Sequence, residues 1–193
     1  MAAQLVIPLA AAVLAAYPLH AGMQTRRFDG NWWMTANYSE RYGFIDGFSD
    51  CAVWSAHNYA FNTTPEQIID KITDHYQNNK EDLKQSVIGV WQTQIKTIAT
   101  AKEPSAGETW NNPHWYLNGG WWRGENQDLH AGYVEGFALC AKTQPLAMKE
   151  RYSRPADYYT QRIDSYIAAH KNADKSSVAS VLQRFQDSKI ERQ

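Results

Sequence analysis

From residue 30 onward the apolar positions of this chain recur at helical spacing. Phe44, Phe48 and Cys51 fall at i, i+4 and i+7, and Tyr133, Phe137 and Cys140 repeat the same stripe further along. Each stripe predicts a helix that turns it toward a core. Ile68, Ile72 and His75/Tyr76 mark a second kind of face, and Val87, Val90, Trp91 and Ile95 a third. The second begins at Thr64-Pro65-Glu66-Gln67, where Thr supplies an N-cap, Pro fits the first helical position and Gln stands three residues after the Thr to close a capping box. Alternating apolar and polar runs are absent, so the expected fold class is all-α.

The pattern occurs twice. Sliding the chain on itself by 89 residues superposes Gly30 and Trp32-Trp33 on Gly119 and Trp121-Trp122, and GFIDGFSDCA (43–52) on GYVEGFALCA (132–141). Nine of the 25 positions in 30–54 are identical in 119–143. The correspondence continues at slightly larger offsets, with Pro65 against Pro155, Ile72 against Ile163 and Ser86-Val87 against Ser177-Val178. We read two tandem pseudo-symmetric three-helix units, 22–97 and 119–193, packed into one helical domain and joined by an inter-repeat connection at 98–118 that is rich in turn residues.

Gly43-x-x-x-Gly47 and Gly132-x-x-x-Gly136 each put two glycines on one helical face, at a helix cost of about 1 kcal/mol per Gly relative to Ala. Such a face invites close approach, and the twin helix is the simplest neighbour. If a two-fold axis relates the copies, Cys51 and Cys140 come near enough to pair. Two buried free thiols are the alternative.

The chain has 193 residues, with 19 Lys+Arg against 20 Asp+Glu and no basic run, which argues against nucleic acid as a partner. Aromatic residues make up 13%, enough bulky apolar surface to oppose disorder. Residues 1–25 carry no charged side chain, and 5–17 form an apolar stretch too short and too Pro-flanked for a spanning anchor. We read 1–21 as a signal peptide cleaved after Ala21, which places the mature chain in the periplasm or outside the cell, with no stable membrane span. That compartment favours a Cys51–Cys140 disulfide.

Asp46, Asp50 and His57, with Trp54, share one face of the first motif helix. Two carboxylates beside an imidazole suit acid–base or metal chemistry, but i, i+4 acids usually lie in water, and that is the preferred reading. The second copy keeps Glu135 and replaces Asp50 by Leu139. Asp46 and Glu135 would form the carboxylate pair of a hydrolase, or each would accept a bond from an indole or backbone N–H. Trp32, Trp33, Trp121 and Trp122, with Trp110 and Trp115 from the connection, form a candidate aromatic platform for a sugar or a partner loop, with one indole of each pair expected buried and the other partly exposed. No metal-type cysteine spacing, zinc-peptidase motif, nucleophile elbow or phosphate loop is present, so neither a metal, a cofactor nor a catalytic residue is assigned.

Gly43, Phe44, Ile45, Gly47 and Asp50, followed by Pro65, Gln67, Ile72 and the apolar stretch from Val87 to Trp91, resemble the pattern of the Rap/Tai-type exported immunity domains. Gly132, Tyr133, Val134 and Gly136 match it more weakly in the second copy, which lacks the Asp. That family usually has one unit and more cysteines. The resemblance implies a helical binder that blocks a peptidoglycan amidase in the cell envelope, not an enzyme.

Overall fold

A computed structural model of the chain describes residues 28–56, 59–61, 63–95, 98–100, 117–143 and 152–186. The segment 1–21 read above as a signal peptide, His57 and most of the connection, including Trp110 and Trp115, lie outside the described residues.

The fold is helical. In order it runs α1 (Gly30–Thr35), α2 (Tyr38–Ala56), β1 (Tyr59–Phe61), α3 (Pro65–Asn78), α4 (Val87–Val90), β2 (Ile98–Thr100), α5 (Gly119–Gly124), α6 (Gln127–Thr143), α7 (Ala156–Ala169) and α8 (Val178–Gln183). Single 3-10 turns at Lys80–Lys84 and Ala173–Lys175 lead into α4 and α8, and α4 continues into a π turn at Trp91–Ile95. Strands are confined, among the described residues, to the antiparallel pair β1 and β2, where Tyr59 faces Thr100 and Phe61 faces Ile98. Three residues per strand are too few to show alternation, so this ribbon is an addition to the all-α expectation.

The helix starts explain themselves locally. Asp29 caps α1 by accepting from the amides of Asn31 and Trp32 at 3.1 and 3.2 Å, and Asn118 caps α5 in the same way at 2.9 and 3.1 Å. Each Trp-Trp segment is therefore a short helix. The capping box at Thr64 and Gln67 is present at α3, whereas α7 begins after Pro155 without a side-chain cap. Ser86 and Ser177 cap α4 and α8, and isolated bridges pair Asp29 with Ser86 and Asn118 with Ser177. The strap before each Trp-Trp helix is thus tied to the start of the last helix of the same half.

Helices α2 and α6 form the centre. A Cβ on Gly43 would collide with the backbone of Leu129 and Tyr133, and one on Gly47 with the carbonyl of Tyr133. Reciprocally, a Cβ on Gly132 would strike the carbonyl of Glu40 and one on Gly136 that of Phe44. Glycine is required at all four places because the neighbour is backbone and cannot rotate away. One helical turn beyond, Cys51 and Cys140 are bonded as a disulfide with Cα atoms 6.0 Å apart. Phe44, Phe48, Tyr133 and Phe137 pack outward from this seam against Trp33, Trp91, Trp122, Ile72 and Ile163 in one continuous core.

Candidate functional site

Asp46 and Asp50 sit beside the glycine face of α2, and both are fully buried, at 0% and 1% exposure. This corrects the expectation of a solvated face. Residue type and i, i+4 spacing pointed those acids at water, but the side of the helix they occupy is enclosed, with Tyr133 of α6 against Asp50. From α6 the hydroxyl of Tyr133 donates to Asp50 Oδ2 at 2.5 Å. Neither carboxyl oxygen of Asp46 has a hydrogen-bond partner among the described residues.

Burial sets the charge state of this cluster. Loss of water pushes the Asp46 carboxyl well above the ordinary range, and Asp50, Glu66 and Glu125 push it the same way. Burial raises Asp50 to about 7, against the opposing pull of the Tyr133 hydrogen bond. Burial and the neighbouring Asp50 raise the Tyr133 phenol in turn. An isolated carboxylate in such surroundings is so costly that the neutral acid is the form the site favours for Asp46. Both carboxyl groups are thus enclosed within the fold rather than displayed on its surface.

A second polar arrangement anchors the tryptophans. The Trp33 indole donates to Thr73 Oγ1 at 3.0 Å, while the guanidinium of Arg41 lies over its ring and also donates to Thr73. At the matched positions of the second half, the Trp122 indole donates to Asp164 Oδ1 at 2.6 Å. There His130 stacks flat on the Trp122 ring, with centroids 3.8 Å apart, and its Nε2 donates to the Trp122 carbonyl at 2.7 Å. A carbonyl only accepts, so Nε2 carries the hydrogen and Nδ1 faces Asp164 at 4.0 Å. In both halves an indole N–H is held by the third helix and its ring is covered by a basic side chain. The expected carboxylate partner for an indole exists at Asp164, while Asp46 holds none among the described residues.

The remaining candidates are dispersed. Trp32 and Trp33 are both buried, so the first pair has no open face, while in the second pair Trp122 is buried and Trp121 is half-buried. The expected split between indoles holds only for the second pair. A platform on all four rings is closed by this packing. Glu135 is half-buried on α6 while its counterpart Asp46 is sealed, so the two do not open to solvent together. No cluster of three or more potential metal ligands occurs among the described residues. None of the helices described is long and apolar enough to cross a membrane.

One surface went unread in the sequence. Arg154, Tyr158, Arg162, Tyr166 and His170 follow one another at steps of four, so they share one face of α7 and its flanks. The signal was present as an i+4 series of cations and aromatics, but the search for core stripes passes over it. Comparisons with protein-family models, with curated proteins and with solved structures found no match. The functional reading therefore rests on the residues themselves.

Proposed function

We propose that the chain is an exported helical binding protein of the immunity or inhibitor type, which engages an enzyme of the bacterial cell envelope. The observation that carries this reading is the sealed seam. The acids and glycines of the repeated motif are spent on joining α2 to α6 under the Cys51–Cys140 disulfide, which leaves the outer helix faces to meet other molecules. A disulfide fits an oxidising compartment outside the cytosol. The resemblance of Gly43, Phe44, Ile45, Gly47 and Asp50 to the Rap/Tai-type motif supports a peptidoglycan amidase as the enzyme engaged.

The test is capture and inhibition. Residues 22–193, oxidised and immobilised, are exposed to a bacterial envelope extract, and retained proteins are assayed for cleavage of purified peptidoglycan with and without excess free chain. Retention of a wall-cleaving enzyme whose activity the free chain suppresses is the expected result. Retention of nothing, together with binding of the chain to insoluble cell wall, replaces this reading with a wall-binding module built on Trp121 and the tryptophans of the connection.

A further inference from the structure

The two copies share their seam glycines, their cysteines and the Phe48/Phe137 position, but their outer faces differ. On α7 the guanidinium carbon of Arg162 lies 4.5 Å from the ring centroid of Tyr158 and 5.7 Å from that of Phe185, and Arg154 approaches Tyr158 from the other end at 5.9 Å. Arg184 of α8's C-terminal end lies 5.2 Å over Tyr166, which stacks on His170 at 4.0 Å. Tyr158 is one of two large hydrophobic side chains exposed among the described residues. None of the three guanidiniums makes an ion pair among the described residues. The acids of α7 do not neutralise the stripe: Asp164 is turned to Trp122, and Asp157 lies roughly 100° around the helix from Tyr158. At the matched positions of α3 stand Thr63, Gln67, Lys71, His75 and Asn79, with one lysine and no Phe, Tyr or Trp, and beside them Glu66, Asp70 and Asp74 are exposed.

We infer that the α7 stripe of Arg154, Tyr158, Arg162, Tyr166 and Arg184 is a docking surface for an acidic segment of a partner protein. A guanidinium held over a ring is positioned by it while its N–H donors stay available, and their planar fork matches a carboxylate. Successive positions on the stripe are about 6 Å apart, a spacing that carboxylates on a neighbouring helix or strand can match. Arg and Tyr are also the residue types that dominate binding energy at protein interfaces. The ring faces themselves are taken, Tyr158 by arginine and Tyr166 by histidine and arginine, which removes the stacking platforms that single-stranded nucleic acid uses. The inference rests on the binding-protein reading and names the surface through which binding occurs.

The experiment follows the arginine Nε–H and tyrosine ring signals of the isotopically labelled oxidised chain by NMR. Three probes are titrated: an acidic octapeptide of glutamate and tyrosine, the same peptide with glutamine for glutamate, and octathymidylate. The acidic peptide is expected to shift the signals of Arg154, Arg162, Arg184 and Tyr158, and to lose affinity about tenfold or more in the variant carrying Arg154→Ala, Arg162→Ala and Arg184→Ala. Arg162→Lys, which keeps charge but loses the fork, should lose affinity in part. The indole N–H signals of Trp33 and Trp122 report whether each variant retains its core. Shifts elsewhere, equal binding of the glutamine peptide, an unaffected triple variant, or tighter binding of octathymidylate overturns the assignment. A triple variant that still captures and inhibits an envelope enzyme removes the stripe while the binding-protein reading stands. Peptide binding at the stripe without any captured enzyme does the reverse.

Discussion

Tyr133 and Asp50 form a hydroxyl–carboxyl pair across the α2–α6 seam, and the positions related to them by the 89-residue offset, Phe44 and Leu139, lack both groups. One copy of the motif thus carries a donor and its acceptor together, and the other carries neither. A buried phenol without an acceptor, or a buried carboxyl without a donor, would be left to bear its desolvation alone. The two differences between the copies are therefore one coupled difference.

A double-mutant cycle reads that coupling directly. Tyr133→Phe and Asp50→Leu should each cost about 1–3 kcal/mol by stranding the partner, and the double variant, which copies Phe44 and Leu139, should cost less than the sum. Chemical denaturation of the four proteins at pH 6 gives the answer, and strict additivity would show that the pair has no shared energy.

Stability should fall as pH rises from about 4 to about 7. Asp50 titrates at about 7 in the folded chain and near the ordinary carboxylate value when unfolded, so the folded state holds its proton where the unfolded state releases it. The stabilising contribution is complete below pH about 4, is lost progressively up to pH about 7, and amounts in full to something on the order of 4 kcal/mol. Asp46 acts in the same direction. Asp50→Asn keeps an acceptor for Tyr133 and cannot ionise, so it should flatten the decline and be more stable than the parent at pH 8 by roughly 1–3 kcal/mol. Urea midpoints at pH 4.5, 6 and 8 test this, and parallel pH dependences in the two proteins would refute it.

The glycine seam makes a contrast with its own control. Gly47→Ala and Gly136→Ala should each destabilise by about 2–4 kcal/mol, since the added methyl meets a carbonyl of the opposite helix and the two helices must separate. Nothing lies within 4 Å of a Cβ built on Gly124 at the end of α5, so Gly124→Ala should change stability by no more than about 0.5 kcal/mol. Thermal melts of the three variants suffice, and equal effects would mean that α2 and α6 do not touch through backbone.

Intact mass measured after alkylation of the unfolded chain, with and without reduction, should show that both cysteines are protected until reduced. Replacing both Cys51 and Cys140 by Ala should cost about 3–5 kcal/mol, because the bond closes a loop spanning 89 residues of sequence and so restricts the unfolded chain strongly. Two thiols that react without reduction would remove the bond from the account.

Much of this architecture was legible because repetition and helical period reinforce each other. The offset of 89 residues aligned the glycines, the cysteines and the Phe48/Phe137 positions, and the Thr64 box marked the start of α3. The fate of Asp46 and Asp50 was not legible in the same way. Their residue type argued for water, and only their placement on the side next to Gly43 and Gly47 hinted that a helix would lie over them. The Trp-Trp helices escaped because they are only about one and a half turns long, too short for a periodic stripe, although Asp29 and Asn118 stand before them as caps. The α7 stripe escaped because cations at every second step of an i+4 series break an apolar pattern without announcing a surface.

The reciprocal glycine contacts have a consequence in time. Gly43 and Gly47 of α2 meet backbone that is encoded close to 90 residues later, as Gly132 and Gly136 meet backbone made that much earlier. No local partner substitutes for α6, because only a helix with its own glycines can come so near. A chain emerging from its N-terminus must therefore carry α2 with two acids and an apolar stripe uncovered until the second half arrives, and contacts of such long sequence separation close slowly. That interval is when the nascent protein is open to chaperones and to proteases.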